Sequence, residues 1–188
     1  MPHNRALLSA TILNMTLLRK LFSTVGTTGH GTDRKLGGGA LLLSTYLDRD
    51  RSLLSPEALR QLPPPEKKTI LLFQRGHGAP TYAGALGGPG GIVEVGVDAS
   101  PAEAATREAM EEANIVFTPK EPAFSKAQLS DRDVIYFIGP WWINEGGINH
   151  NDDEAIGHVW FTGEEALRAS LSFDYKNAVK KLIKQGLL

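Results

Sequence analysis

The chain contains no cysteine, and this absence excludes several classes of site at once. Without a thiol there can be no disulfide bond, no thiolate nucleophile and no zinc–thiolate cluster. Any metal chemistry must therefore use oxygen ligands or the five histidines. A chain without disulfides is compatible with a reducing compartment, and we expect a cytoplasmic protein.

Long hydrophobic runs and an excess of charge are also missing. No apolar run approaches the roughly 18 to 20 residues needed to cross a bilayer, so we predict no membrane span. The formal net charge is -1, which gives no overall basic field to attract nucleic acid or an anionic membrane. With 188 residues, of which 41% are hydrophobic and 22% charged, the composition is that of an ordinary globular protein of one domain.

Acidic residues are absent from residues 1–32, a segment that carries Arg5, Arg19 and Lys20. Basic charge mixed with leucine, serine and threonine is typical of an organellar transit peptide, so a mitochondrial location is the alternative to the cytoplasm. An amphipathic helix docked on the domain would explain the same pattern. We therefore treat residues 1–36 as a basic N-terminal extension and predict a folded domain over 37–188.

Within that domain, short apolar runs bounded by turn residues predict strands. These runs lie at 37–47, 69–75, Ile92–Val95, Pro122–Gln128, Asp133–Ile138 and Ile156–Thr162. Helices are predicted at Pro101–Ala113 and Tyr175–Gln185, and a short one at Pro56–Leu62 inside an insertion at about 48–68. Strands interspersed with a few helices, without strict strand–helix–strand repeats, predict an α+β or mixed-sheet sandwich fold.

Negative charge is concentrated in the stretch REAMEEANI at 107–115. If this stretch is helical, Glu108, Glu111 and Glu112 stand at i, i+3 and i+4, so their carboxylates share one face and repel one another. A function that needs clustered carboxylates would explain why the repulsion is tolerated.

The helix that carries these glutamates has a clear beginning. Ser100 is suited to cap it, Pro101 fits the first helical position, and Glu103 completes a capping box. Small residues recur at i+4 spacing on another face, which lets the helix lie close to a sheet; they are Ala105, Ala109 and Ala113.

A glycine-rich turn, GALGGPGGIVEVG at 84–96, precedes the acidic helix. Glycine density of this kind lets a backbone approach a ligand closely. Carboxylates together with a backbone carbonyl form the type of oxygen site that Mg²⁺ and Mn²⁺ prefer. The order of turn and helix therefore predicts a divalent-cation site.

The segment 90–115 resembles the signature of the Nudix hydrolases, G-x5-E-x7-R-E-U-x-E-E-x-G-U, in which U is a bulky aliphatic residue. We call residues 91–115 the Nudix box of this chain. The residues that match the signature are Gly91, Arg107, Glu108, Glu111, Glu112 and Ile115.

The box departs from the signature at several positions. Val97 stands where the first glutamate is expected, with Asp98 beside it, and the spacing to Arg107 is two residues longer. In the family that glutamate pairs with the arginine, so either Asp98 substitutes for it or the pairing is lost. Asn114 replaces the last glycine, a nearly neutral change because asparagine tolerates a left-handed helix end. Ala109 replaces a larger aliphatic residue.

The resemblance implies a Nudix-type α/β/α sandwich with a mixed central sheet and a metal-dependent hydrolase. Such an enzyme cleaves the pyrophosphate linkage of a nucleoside diphosphate linked to another moiety, with Mg²⁺ or Mn²⁺ as cofactor. The implied metal ligands are Glu108, Glu111, Glu112, the backbone carbonyl of Gly91 and, from an acidic loop outside the box, Glu154. The implied catalytic residues are Glu108, Glu111 and Arg107.

Substrate contacts are predicted from single residues. Arg75, at the end of a predicted strand, suits a phosphate as a bidentate donor. Tyr82, Trp141 or Trp142 would stack on a base. His150 and His158 have no part in this mechanism, because a lone histidine in a strand is more often structural.

Several alternatives stay open. The substrate is a nucleotide sugar, a dinucleotide, a nucleoside triphosphate or an RNA cap, and a homodimer is one option for the oligomeric state. A catalytically weak or inactive domain that binds nucleotide or RNA, or serves as a scaffold, is the competing class. The features that favour it are Val97, the longer loop, the basic N-terminal extension and the insertion at 48–68. The three retained glutamates favour the enzyme, since a scaffold without metal would gain stability by losing adjacent like charges.

Overall fold

The computed structural model describes residues 34–79, 81–150 and 155–188. Of the predicted N-terminal extension, only residues 34–36 fall within these ranges. The transit-peptide and docked-helix interpretations therefore concern residues outside the described part of the chain. Among the described residues, no helix is long and apolar enough to cross a membrane.

Strands and helices alternate irregularly along the described residues. The strands are β1 (Lys35–Ala40), β2 (Leu42–Leu43), β3 (Ile70–Arg75), β4 (Leu86–Gly87), β5 (Gly90–Ile92), β6 (Ile115–Phe117), β7 (Ser125–Gln128), β8 (Arg132–Phe137), β9 (Trp141–Ile143) and β10 (Ala155–Phe161). The helices are α1 (Pro56–Gln61), α2 (Pro101–Ala113), α3 (Gly163–Arg168) and α4 (Tyr175–Lys184), and a single 3₁₀ turn covers Ser44–Tyr46.

Of the two four-stranded sheets in the described residues, one is mixed, as predicted. Its strand order is β5-β1-β8-β7, in which β1 and β8 are parallel and the two outer pairs are antiparallel. An antiparallel sheet, β10-β3-β2, carries β4 against β3, and β6 pairs with β9. This α+β arrangement confirms the predicted fold class.

The strands are covered on both faces, which makes the fold a three-layer α/β/α sandwich. Successive side chains of a strand point to opposite faces. Thus Leu42 and Leu71 pack in one core cluster with alanines of α2, whereas Leu41 and Leu72 pack in another with Val179 of α4. Burial on both faces explains the continuous apolar run ALLL at 40–43, each residue of which is fully buried.

Three predicted strands differ in extent from the observed ones. The run predicted at 37–47 begins at Lys35, and its last residues form the 3₁₀ turn instead of extended structure. The strand predicted at Ile92–Val95 is Gly90–Ile92, because the chain turns after it, with the Asp98 amide donating to the Glu94 carbonyl at 2.9 Å. The strand predicted from Pro122 begins at Ser125, as a proline has no N–H for the ladder.

Several short elements are not among the predicted ones. The pair β6–β9 joins residues far apart in sequence, with Val116 opposite Trp142, and three-residue strands carry too little periodicity to be recognised. Helix α3 begins with a capping box formed by Thr162 and Glu165. That local signal was available in the sequence.

Candidate active site

Helix α2 begins and ends where the sequence predicts. The Ser100 hydroxyl accepts a hydrogen bond from the Glu103 amide at 3.2 Å, and the Glu103 carboxylate accepts one from the Ala99 amide at 2.7 Å. At the other end Asn114 has φ 55° and ψ 39°, the left-handed conformation expected of its position. Its side-chain amide donates to the carbonyls of Glu145 and Gly147, which ties the helix end to the next loop.

Close contact between α2 and the sheet holds the acidic face in place. The helix alanines Ala105, Ala109 and Ala113 are fully buried. On strand β1, a Cβ atom at Gly38 would lie 1.8 Å from the Pro101 carbonyl oxygen, so any side chain there would push the helix away. This contact places the glutamates beside strand β5.

Arg107 is the centre of an ion-pair network on this face. Its Nε and Nη2 atoms donate to the two oxygens of Asp98 at 3.1 and 3.0 Å. Its Nη1 atom donates to Glu108 Oε1 and to Glu111 Oε2, both at 2.9 Å. Glu94 Oε1 also lies 3.6 Å from Nη1, so one guanidinium connects four carboxylates.

The network shows which alternative holds for the altered box: Asp98 takes over the pairing with the arginine. The Asp98 side chain is 3% exposed and that of Arg107 is 16% exposed, whereas Val97 points into solvent. The hydrogen bond from Arg107 holds the pKa of the Asp98 carboxyl below its usual range, against the opposing effect of burial. The same bond raises the pKa of Arg107, so the pair stays ionised.

The glycines of β5 admit the other carboxylates. The Gly90 amide donates to Glu112 Oε2 at 3.0 Å. A Cβ atom at Gly91 would lie 1.9 Å from Glu108 Oε1, so only glycine leaves room for that carboxylate. The structure therefore brings Glu108 and Glu112 to the strand that contains Gly91, and Glu111 is linked to Glu108 through Arg107.

These donors suit a hard divalent cation by their chemistry, since all are carboxylate or carbonyl oxygens. In the part of the chain that the structure describes, however, no three acidic or histidine residues lie close enough together to hold one ion. Arg107 holds Glu108 and Glu111, and the Gly90 amide holds Glu112. A bound cation would require these carboxylates to exchange partners.

Glu154 lies outside the described residues, as do Asp152 and Asp153, so its role as a metal ligand stays a prediction. The next residue, Ala155, lines a small, partly open cavity beside the acidic helix. Arg75 and Glu112 line the same cavity, together with Phe73, Gly87, Gly88 and Pro89. The predicted phosphate contact and a predicted metal ligand thus face one space.

A second small, partly open cavity shares Gly88 and Pro89 with the first. Arg132, Tyr136 and Phe173 form part of its wall. The sequence analysis did not single out Phe173 or Arg132. Phe173 has φ 49° in a loop before α4, and no local pattern marks such a position.

Arg75 and Tyr82 meet at Phe173. The Tyr82 ring, in a residue that is 49% exposed, lies 4.9 Å from the Phe173 ring, measured between centroids. The guanidinium carbon of Arg75 lies 5.3 Å from the Phe173 centroid, and its Nε atom donates to the Thr81 carbonyl at 3.1 Å. Arg75 lines the first cavity and Phe173 the second, and Tyr82 contacts Phe173 without lining either.

The predicted stacking role of Trp141 is wrong. Trp141 is fully buried, its indole N–H donates to the Leu43 carbonyl at 2.9 Å, and its ring stacks on Trp160 in the core. Trp142 has the guanidinium of Arg51 over its ring and lines neither cavity.

The two histidines left out of the mechanism contact each other. His150 Nε2 and His158 Nδ1 are 2.8 Å apart, with the rings stacked. Burial, together with the neighbouring His150, lowers the pKa of His158. His158 therefore carries little positive charge near neutral pH.

Comparison with known proteins gives a family match and several structural relatives. The family model described as NUDIX domain matches residues 63–182. The structure is similar to the MutT protein from Methanosarcina mazei Go1, with a TM-score of 0.58 and 20% identity over 84% of this chain and 99% of that one. No curated protein matches the chain.

Two further similar structures carry more informative names. One is the NUDIX domain of Shewanella oneidensis NrtR complexed with ADP ribose, with a TM-score of 0.56 and 16% identity over 82% of this chain and 90% of that one. The other is a C. elegans Ap4A hydrolase, with a TM-score of 0.52 and 20% identity over 80% of this chain and 95% of that one. At these identities the likeness shows the shared fold.

Proposed function

Since the chain belongs to the Nudix family and is a Nudix hydrolase, we propose that it cleaves the pyrophosphate linkage of a nucleoside diphosphate derivative with the help of Mg²⁺ or Mn²⁺. The observation that carries this proposal is that α2 brings Glu108 and Glu112 against the glycine strand β5, with Glu111 linked to Glu108 through Arg107. That edge adjoins the cavity that contains Glu112 and Arg75.

We assign the metal to oxygen ligands of the box. Glu111 and Glu112 are the principal ligands, Glu108 is a further ligand or the base, and the Gly91 carbonyl and Glu154 complete the set. A divalent cation bound there would neutralise charge on the pyrophosphate and lower the pKa of a water molecule. The donor set supports Mg²⁺ or Mn²⁺ over softer metals, because it contains neither sulfur nor imidazole.

The other named residues hold or orient groups. Asp98 fixes the guanidinium of Arg107, and Arg107 in turn orients Glu108 and Glu111. The bond to Thr81 orients Arg75 at the cavity wall, where its terminal N–H groups would donate to a phosphate. Tyr82 and Phe173 offer aromatic faces for a base.

The substrate class stays broad: a nucleotide sugar, a dinucleotide, a nucleoside triphosphate or a capped RNA. Two of the structurally similar proteins are named for an ADP ribose complex and for Ap4A hydrolysis, which supports a nucleoside diphosphate derivative. The inactive-module alternative loses its main argument, because the longer loop retains an acid–arginine pair through Asp98.

The test is turnover on a panel of these substrates in Mg²⁺ and in Mn²⁺, followed by the release of phosphate or of nucleoside monophosphate. We expect turnover on at least one member, and its loss in the double variant Glu111→Gln, Glu112→Gln. Removal of groups that act as a unit at the metal should lower kcat by at least about 100-fold. Turnover that survives in the double variant would contradict the assignment.

A further inference from the structure

The contacts of Arg107 divide into two parts. Its Nε and Nη2 atoms form a two-point contact with Asp98, the most buried carboxylate of the network. Its Nη1 atom lies 2.9 Å from oxygens of both Glu108 and Glu111 and 3.6 Å from Glu94 Oε1. The first part anchors the guanidinium, and the second holds two proposed metal ligands.

A cation bound between two carboxylates serves the same electrostatic purpose as a metal ion there. Glu108 and Glu111 stand one helical turn apart, where like charges repel, and the shared Nη1 group offsets that repulsion. A metal ion competes for the same oxygen lone pairs. A lone pair that accepts the Nη1 hydrogen bond cannot coordinate a metal ion at the same time.

The two ends of the network differ in freedom of movement. The Glu111 side chain is 59% exposed, whereas the Asp98 and Arg107 side chains are mostly buried. Glu111 can therefore rotate away at low cost while the contact between Asp98 and Arg107 persists.

We propose that the Arg107 guanidinium is a built-in counter-ion that competes with the divalent cation for Glu108 and Glu111, so that metal binding must displace its Nη1 contacts. The inference rests on the proposed function, since it concerns the same metal site. It makes the metal-free protein stable and sets an upper limit on metal affinity.

A purely positioning role for Arg107 predicts the opposite sign. If the arginine only orients the ligands, its removal weakens metal binding. If it competes, its removal leaves uncompensated carboxylates that bind the metal more tightly, while the metal-free protein becomes less stable. Only competition therefore predicts that removal of the arginine raises the metal affinity while it lowers the stability of the metal-free protein.

The experiment measures Mn²⁺ binding to the full chain without nucleotide, by the EPR signal of free Mn²⁺, for the wild type and for Arg107→Gln. The matched control is Arg168→Gln, which removes one positive charge and one i,i+4 contact to a glutamate, Glu164, on α3. We expect Arg107→Gln to bind Mn²⁺ roughly tenfold more tightly than the control, the effect of losing one charge-assisted competitor. Its metal-free melting temperature should fall by about 4 °C or more, and the control's should stay near that of the wild type.

Each outcome bears on the proposal. Equal or weaker Mn²⁺ binding in a folded Arg107→Gln variant would overturn it and leave the metal site itself intact. A variant that folds only when Mn²⁺ is present would support it. If Arg107→Gln folds neither with nor without Mn²⁺, the variant Arg107→Lys replaces it in the test. One ammonium group cannot contact Asp98 and both glutamates at once, so we expect Arg107→Lys to bind Mn²⁺ more tightly than the wild type. Weaker Mn²⁺ binding by Arg107→Lys would overturn the proposal. A wild type that binds no Mn²⁺ would remove the proposed function, and this inference with it.

Discussion

At the residue scale, the ionisation of Asp98 stabilises the loop before the acidic helix. The two-point contact with Arg107 explains why a chain with valine at the position of the box glutamate still has a partner for its arginine. The Glu94 amide also donates to the Asp98 carboxylate, at 2.9 Å, so the longer loop closes on the same group. A carboxylate with this many donors favours its charged form.

The pH dependence of stability should report this group. Because the folded pKa of Asp98 is lowered, its contribution is fully present above its unfolded pKa of about 3.9 and is lost as the pH falls through the folded value. We expect Asp98→Asn to be less stable than the wild type by about 1–3 kcal/mol at neutral pH. Urea unfolding from about pH 7 to pH 3 should show the two proteins converging below about pH 4. A stability difference that stays constant over this range would contradict the assignment.

At the element scale, the position of α2 depends on the close approach of its first turn to strand β1. The alanines on its buried face and the absent side chain at Gly38 permit that approach, and the left-handed Asn114 ends the helix at a defined residue. The glutamates therefore depend on packing that involves no charge. A small shift of the helix would move all three carboxylates away from the glycines of β5.

Gly38→Ala tests this dependence. Its Cβ atom would meet backbone atoms of the helix, so we expect a loss of about 1–3 kcal/mol in the free energy of unfolding, typical of an overpacked contact, or more. The matched control is Gly157→Ala on β10, where an added Cβ meets nothing within 4 Å, and its effect should stay within about 0.5 kcal/mol. Chemical denaturation of both variants gives the comparison. Equal effects would show that the contact between α2 and β1 is not tight.

At the scale of the whole molecule, the fold assembles a site from distant parts of the chain. Arg75 at the end of β3, Glu112 on α2 and Ala155 at the start of β10 line one cavity. The three layers cover both faces of the strands and leave this edge, where the glycine turn passes, as a depression. Phe173 lines the neighbouring cavity and contacts both Arg75 and Tyr82.

The sequence predicts those parts of this arrangement whose signals are local. Capping residues, helix-spaced alanines and adjacent glutamates each describe α2 without reference to the rest of the chain. By contrast, the burial of Trp141 and the place of Phe173 depend on strand pairing and on a backbone conformation set by tertiary contacts. Asp98 is intermediate, because the sequence shows a candidate beside Val97 but only the folded loop shows that it reaches Arg107.

The proposed function requires that the acidic face of α2 binds a divalent cation. The most direct test compares the melting temperatures of the wild type and of Glu112→Gln, each measured with and without Mg²⁺ or Mn²⁺. Ligand at about 100 times its dissociation constant contributes about 2.7 kcal/mol, so the wild type should melt several degrees higher with metal. Glu112→Gln should lose that gain, while Glu164→Gln, which removes an exposed carboxylate on α3, should keep it. A gain that is absent from the wild type, or equal in Glu112→Gln, would contradict the account.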